Sequence, residues 1–195
     1  MKFDAIYTGA LSDKKQAYNC LELFAQQPKA LKIVDPVLGE NGEYYDTTFK
    51  TLLPHIKLMC AKADLISPNL TEAQFLSGTK ETEPNKLLIE LKKLGAKRVV
   101  LTGIIEGNKI SNYLLNEDGS LHVSTGDYYQ ATIHGAGDMF LSSLIAAILN
   151  GKSYNNATDF ATEITSEAVA LTVKEKGYER KGILFEPMLK SYTNL

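Results

Sequence analysis

Short strand-like segments that alternate with helical segments constrain the fold of this chain more than any other feature. Buried-type strands are predicted at 4–8, 31–34, 65–66 and 98–101, and helices between them at 12–27, 47–63, 71–76 and 84–94. Such alternation is typical of a mostly parallel sheet with helices on both faces. We therefore predict an α/β fold that forms a single domain over residues 1–195.

The second half of the chain adds a hairpin and two long helices to this pattern. Two alternating segments, 111–116 and 121–125, flank Asp118-Gly119, which is a hairpin signal. Apolar residues at helical spacing then predict a helix from Asp138 to about 150 and another over 153–174. Earlier in the chain, Thr71 and Gln74 have the spacing of a capping box.

Composition excludes several classes of partner. The 195 residues are 44% hydrophobic and carry a formal net charge of −2, with no basic stripe and no apolar run of membrane length. We therefore expect neither a nucleic acid nor a membrane as a partner. Cys20 and Cys60 lie far apart in helical patterns, which favours buried, reduced thiols in a cytoplasmic protein.

The segment His134-Gly135-Ala136-Gly137-Asp138 leads directly into an amphipathic helix. The first N–H groups of a helix have no intrahelical partner and attract anions, and glycine allows a ligand to approach the backbone closely. Asp138 in the first turn could accept a proton from a nucleophile beside such an anion. Alternatively, Asp138 only complements the helix dipole, which is worth roughly 0.3–1 kcal/mol.

Polar residues follow three of the predicted strands, where parallel sheets bind ligands. They are Asp35, then Asn69 with Glu72, and then Thr102 with Gly103. Two carboxylates without a nearby Cys or His suit a hard cation such as Mg²⁺. Thr102 and Gly103 have the groups to bind a phosphate. We expect the residues that directly follow the strands to gather at one edge with the glycine turn: Gly9, Asp35, Asn69, Thr102 and Gly103.

Each of these residues also has a simpler interpretation. Asp35 before Pro36 could form a turn, Asn69 could form an Asx-turn, and Glu72 could complement a helix dipole. Thr102 and Gly103 could merely end a strand. His134 could meet a phosphate, lie on the surface, or be a core histidine whose hydrogen bonds are satisfied.

Four segments in order resemble pyridoxal kinases of the ribokinase-like superfamily. Residues 34–42 (VDPVLGENG) resemble their D-P-V-M-G-D-x-G segment, and 63–73 (ADLISPNLTEA) resemble A-D-I-I-x-P-N-x-x-E-A. Residues 99–103 look like their phosphate-contacting strand end, and 134–138 (HGAGD) resemble their H-G-T-G-D signature. The match extends along nearly the whole chain, so the expected fold is ribokinase-like.

The resemblance implies ATP-dependent phosphorylation of the 5′-hydroxyl of pyridoxal, pyridoxine or pyridoxamine. Asp138 would be the base, and Gly135, Ala136 and Gly137 would form the anion hole. Asn69, Thr102, Gly103 and His134 would bind the nucleotide, and Asp35 and Glu72 would organise Mg²⁺, partly through water. These roles are implied by the resemblance.

The chain also departs from the family pattern. Ala136 replaces the usual Thr and Glu40 the usual Asp, while Ala10 stands where many members carry a Tyr. We expect the family's N-terminal part to be absent, which would leave a truncated fold whose exposed edges favour a homodimer. Two alternatives remain: a hydroxymethylpyrimidine phosphate kinase, which usually has Cys where Asp138 stands, and a non-catalytic nucleotide-binding remnant.

Overall fold

A computed structural model describes residues 2–195, and of Asn194 the backbone alone. The strands are β1 (Ala5–Thr8), β2 (Leu31–Val34), β3 (Gly39–Glu40), β4 (Glu43–Tyr44), β5 (Leu65–Ile66), β6 (Arg98–Glu106), β7 (Lys109–Leu115) and β8 (Leu121–Asp127). The helices are α1 (Lys14–Gln26), α2 (Thr47–Cys60), α3 (Leu70–Ser77), α4 (Pro84–Lys92), α5 (Ala136–Leu149), α6 (Tyr154–Thr172) and α7 (Tyr178–Lys181), followed by a 3-10 helix at Glu186–Asn194. Within residues 2–195, no helix combines the length and the apolar character that crossing a membrane requires.

The main sheet has the strand order β1-β2-β5-β6-β7-β8, and β3 pairs with β4 separately. Neighbouring strands from β1 to β6 run parallel. Short turns connect β6 to β7 and β7 to β8, so these pairs are antiparallel, because a parallel pair needs a crossover of a dozen or more residues. The chain divides into two compact units. The first consists of the residues up to Ile104 together with Tyr113–Leu121, and the second consists of Ile105–Asn112 and His122–Leu195.

The core of the first unit forms where helices cover the short parallel strands. Ile33 and Val34 of β2 and Leu65 and Ile66 of β5 are fully buried, as expected for strands covered on both faces. Helix α4 begins with Pro84, and the lack of an N–H is tolerated there because the first N–H groups of a helix have no intrahelical partner. The helix buries Leu87, Leu88 and Leu91. Pro54 lies inside α2 and does not end that helix.

In the second unit, α5 packs closely along α6. Met139, Ile164, Ala168 and Met188 form a buried cluster there. Strand β8 approaches α6 at Gly126, where an added Cβ would lie only 2.9 Å from the Ser166 hydroxyl. A side chain at this position would therefore force the strand away from the helix.

The prediction that strand 98–101 ends at Thr102-Gly103 was wrong, because β6 continues to Glu106. Gly103 has φ +74 inside the strand, a conformation that glycine adopts without strain. The strand continues because β7 pairs with it, and this partner cannot be identified from a local apolar run. The β3–β4 hairpin, α7 and the 3-10 helix were not predicted.

The two cysteines are free thiols, and only one of them is buried as predicted. Burial, with a further contribution from the charge of Glu72, raises the pKa of Cys60 to about 12. Cys20 is half-buried, and its pKa is also raised by burial. Raised pKa values keep both thiols protonated and unreactive at neutral pH.

Replacing Leu91 by Ala tests the core of the first unit. Leu91 is fully buried, so Leu91→Ala should lower the free energy of unfolding by about 2–5 kcal/mol in urea denaturation. Ile89 on the same helix is 56% exposed, and Ile89→Ala should cost less than about 1 kcal/mol. Equal losses in the two variants would contradict this packing.

Candidate active site

Helix α5 begins at a glycine turn in which no side chain caps the helix. Gly135 is the N-cap residue with φ +88, and Ala136 and Gly137 already belong to the first helical turn. The first intrahelical bond runs from the Met139 N–H to the Gly135 carbonyl at 2.9 Å. The N–H groups that precede Met139 are those that a helix start offers to an anion. The turn predicted from His134-Gly135-Ala136-Gly137-Asp138 is thus confirmed as a helix start.

Asp138 lies exposed in the first turn of α5 and borders a cleft of about 360 Å³. A volume of this size is within the range of small-molecule pockets. The cleft has mostly apolar walls formed by α5 and by the segment after α7, and its lining residues are Gly135, Asp138, Met139, Ser142, Ile183, Phe185, Leu189 and Tyr192. A carboxylate at the wall of a small apolar cleft is suited to take a proton from a ligand bound there.

His134 is exposed and contacts the rest of the second unit through its backbone. Its carbonyl oxygen accepts a hydrogen bond of 3.0 Å from the Ile183 N–H. The backbone of His134 therefore helps to hold the glycine turn, whereas a phosphate contact by its imidazole ring stays a prediction.

In the first unit, the loop after β2 is attached to the start of α3. The Asn69 side-chain amide donates to the Gly39 carbonyl at 3.0 Å, and the Thr71 hydroxyl accepts from the Gly42 N–H at 2.9 Å. Asp35 lies before this loop, where its N–H donates to the Thr8 carbonyl. These bonds join two of the predicted site segments, 34–42 and 63–73.

Glu72 makes the most buried of these attachments. It is 3% exposed, and its two carboxylate oxygens accept hydrogen bonds from the Leu38 N–H at 2.9 Å and the Asn69 N–H at 3.0 Å. The Asn69 side chain accepts in return from the Glu72 N–H at 2.9 Å. Asn69 and Glu72 thus form the capping box of α3, and the prediction that placed it on Thr71 and Gln74 was wrong.

The β3–β4 hairpin was missed although its signal is present in the sequence. Asn41 and Gly42 form its two-residue turn with φ +54 and +84, as a type I′ turn requires, and Asn-Gly is the commonest pair there. An added Cβ at Gly39 would lie 2.0 Å from the Glu43 carbonyl, so only glycine fits. Gly39 and Thr71 are therefore structural parts of this site that sequence reasoning did not identify.

Carboxylates create a negative potential around this loop. The pKa of Tyr45 is raised to about 12, first by burial and then by the charges of Glu72, Glu40 and Asp35. This field favours a bound cation. Within the part of the chain that the structure describes, no cluster of three His, Cys, Asp or Glu side chains could hold a metal alone. A metal here would need ligands from water or from a bound phosphate.

Thr102 lies directly beside Asn69. The two residues form an isolated parallel bridge, and the N–H of Thr102 donates to the Pro68 carbonyl at 3.0 Å. Asn69, Glu72 and Thr102 are therefore grouped, with Gly103 exposed next to them. These residues and Asp35 belong to the first unit, and His134–Asp138 belong to the second. The expectation that all of them gather at one edge stays a prediction.

Comparison with known proteins identifies the family. A family model described as phosphomethylpyrimidine kinase matches residues 1–181. The chain belongs to this family. Pyridoxal kinase PdxY of Actinobacillus pleuropneumoniae, a relative, is 27% identical over 192 residues, which are 91% of this chain and 66% of that protein. The chain thus spans about two thirds of this relative's length, and the resemblance to pyridoxal kinases is confirmed.

Solved structures of two other proteins have folds similar to that of this chain. A candidate phosphomethylpyrimidine kinase of Bacteroides thetaiotaomicron has a TM-score of 0.90 and 32% identity, covering 100% of this chain and 69% of that one. Its second crystal form, with pyridoxal, has a TM-score of 0.88 and 30% identity, covering 99% and 72%. An ADP complex of Bacillus subtilis pyridoxal kinase has a TM-score of 0.73 and 24% identity, covering 85% and 64%. The predicted ribokinase-like α/β fold is confirmed.

Replacing Glu72 by Gln tests its buried hydrogen bonds. The amide NH₂ group cannot accept one of the two N–H bonds, so the free energy of unfolding should fall by about 1–3 kcal/mol at about pH 4.5. Glu43→Gln, at an exposed position of the same hairpin, should change it by less than about 0.5 kcal/mol. Urea denaturation measures both variants.

The same pair of variants tests the titration of Glu72. Burial raises the pKa of this carboxyl above its ordinary value of 4.5, and its backbone hydrogen bonds only partly offset the shift. Its stabilising contribution is therefore fully present below the unfolded-state pKa and is lost as pH rises through the folded-state pKa. The stability difference between the wild type and Glu72→Gln should shrink as the pH rises above the ordinary pKa of 4.5 and through the raised pKa of the folded state. A difference that grows over this range would contradict the raised pKa.

Proposed function

We propose that this chain transfers the γ-phosphoryl group of ATP to the 5′-hydroxyl of pyridoxal, pyridoxine or pyridoxamine. The observation that carries the proposal is the glycine-capped start of α5, with Asp138 in its first turn beside a cleft of about 360 Å³. The relatives named pyridoxal kinase, and the Bacteroides protein solved with pyridoxal, support this choice of substrate.

Asp138 acts as the general base. It takes the proton of the 5′-hydroxyl as that oxygen attacks the γ-phosphorus, and the bond to the bridging oxygen breaks to release ADP. The N–H groups of the Gly135, Ala136 and Gly137 turn stabilise the negative charge on the transferring group. Catalysis of phosphoryl transfer depends mainly on this positioning and charge stabilisation.

The nucleotide phosphates are contacted by Asn69, Thr102, Gly103 and His134. Asp35 and Glu72 would organise Mg²⁺ partly through water molecules, because both Glu72 oxygens already accept backbone hydrogen bonds. The negative potential that acts on Tyr45 supports a cation near this loop. When bound, Mg²⁺ would neutralise charge on the phosphates.

A second candidate activity is phosphorylation of a hydroxymethylpyrimidine or its phosphate. The description of the matching family model and of the Bacteroides protein favours it. Asp138 argues against it, because that branch usually has Cys at this position. Nucleotide binding without turnover is a third candidate, since the chain spans about two thirds of a pyridoxal kinase relative.

Replacing Asp138 by Asn tests the proposed base. Asp138→Asn removes the proton acceptor while keeping the size of the side chain, so kcat for pyridoxal should fall by about 10²–10⁴-fold. The Kd for ATP should change little, because the turn amides remain. A coupled ADP-release assay measures kcat, and calorimetry measures nucleotide affinity.

The control variant is Asp159→Asn, which removes an exposed acid of α6 that pairs with His122 and should leave kcat unchanged. Turnover of a hydroxymethylpyrimidine but of none of the three B6 vitamers would replace the proposal with the second candidate. ATP binding without turnover of either class would identify a nucleotide-binding remnant.

We also expect a homodimer. Phe185 and Leu189 are 49% and 55% exposed beside the cleft, and exposed apolar side chains of this size favour association. Light scattering coupled to gel filtration should give twice the monomer mass at micromolar concentrations. A monomer mass over the whole concentration range would contradict this expectation.

A further inference from the structure

The segment Gly182–Leu184 lies against the glycine turn that begins α5. The Ile183 N–H donates to the His134 carbonyl at 3.0 Å, and the Ile183 side chain would lie 3.4 Å from a Cβ at Gly135. A Cβ at Gly182 would lie 3.1 Å from the same His134 oxygen, and Gly182 has φ +75. The segment therefore packs directly against the turn, through one hydrogen bond and two close approaches.

Thr172, the last residue of α6, holds this segment from the opposite side. Its side chain is buried, being 1% exposed, and its hydroxyl accepts a hydrogen bond of 2.8 Å from the Leu184 N–H. The same hydroxyl donates its single hydrogen to the Ala168 carbonyl at 2.6 Å. Both bonds fix the oxygen, so Leu184 is attached to the end of a long, packed helix.

We propose that Thr172 is a positioning residue for phosphoryl transfer. Thr172 fixes Leu184, the adjacent Ile183 fixes the His134 carbonyl, and the carbonyl fixes the direction of the N–H groups in the glycine turn. Anion-hole donors are effective only when they are aimed at the developing charge. The kinetic part of this inference rests on the function proposed above, whereas the structural part does not.

A second attachment holds the rest of the C-terminal segment independently. The Ser143 hydroxyl donates to the Met139 carbonyl at 2.6 Å, so the Tyr192 hydroxyl must be the donor in its own 2.6 Å bond to Ser143. The ring of Tyr192 also packs edge-on against Phe160. Loss of the Thr172 hydroxyl should therefore loosen the segment next to the turn without detaching the 3-10 helix.

The test compares Thr172→Val, which has the same shape without the hydroxyl, with Thr172→Ser, which restores it. Thr172→Val should lower kcat by about 10–100-fold, because small misplacements of catalytic groups have effects of this size. The KM for ATP should stay within about twofold. Amide hydrogen exchange at 134–138 should be faster than in the wild type, and Thr172→Ser should restore both readouts.

Thr158→Val is the matched control on the same helix. Thr158 is fully buried and its hydroxyl donates to the Tyr154 carbonyl, but it lies about 20 Å away from Thr172 along α6. This variant should keep wild-type kcat and wild-type exchange at the turn. An equal loss in Thr158→Val would show a general weakening of α6 and would overturn the positioning role.

The two readouts separate this inference from the proposed function. Wild-type kcat and wild-type exchange in Thr172→Val would overturn the positioning role. If the wild type phosphorylates neither a B6 vitamer nor a pyrimidine alcohol, the proposed function fails, while faster exchange in Thr172→Val would still support the attachment.

Discussion

The N–H groups at the start of each helix need hydrogen-bond acceptors, and the source of these acceptors distinguishes the helices that are capped by their own side chains from the one that is proposed to bind an anion. In the described part of the chain, every α-helix of eight or more residues except α5 receives an acceptor from its own N-cap side chain, at Asp13, Asp46, Asn69, Glu83 or Ser153. Helix α5 begins at Gly135, which has no side chain that could accept a hydrogen bond from the helix N–H groups. Its amides are thus the ones that an external anion can satisfy.

The start of α3 shows the opposite use of the same chemistry. There Glu72 and Asn69 satisfy each other's N–H groups, and Glu72 also accepts from Leu38 across the loop. A carboxylate this deeply buried would lower the stability of the folded state if it lost its hydrogen-bond donors. The donors are backbone N–H groups of the loop and of the helix start, so these bonds hold the two together. The α3 start is capped by its own residues, whereas no side chain caps the α5 start, where we propose that the anion binds.

Local chemistry explains which features the sequence alone could predict. Strands β2 and β5 occur as predicted, at Leu31–Val34 and Leu65–Ile66, because buried runs bounded by turn residues have few alternatives. The glycine turn before α5 was predictable because its glycines directly precede a helical pattern. The end of β6 was not, because its length depends on pairing with β7. The Asn41-Gly42 hairpin carried a local signal, and it was overlooked because the flanking strands are only two residues long.

The residues of the site also differ in how well the sequence predicts them. Its proposed chemical groups, such as Asp138 and Glu72, stand in short motifs and are visible in sequence. The residues that hold these groups are distant in sequence: Leu38 contacts Glu72 over 34 positions, and Ile183 contacts His134 from beyond the end of α6. Supporting contacts of this kind involve backbone carbonyl groups, which every residue type carries, and N–H groups, which every type except proline carries. A motif can therefore indicate the chemistry of a site, while the precision with which its groups are held depends on contacts without a sequence signature.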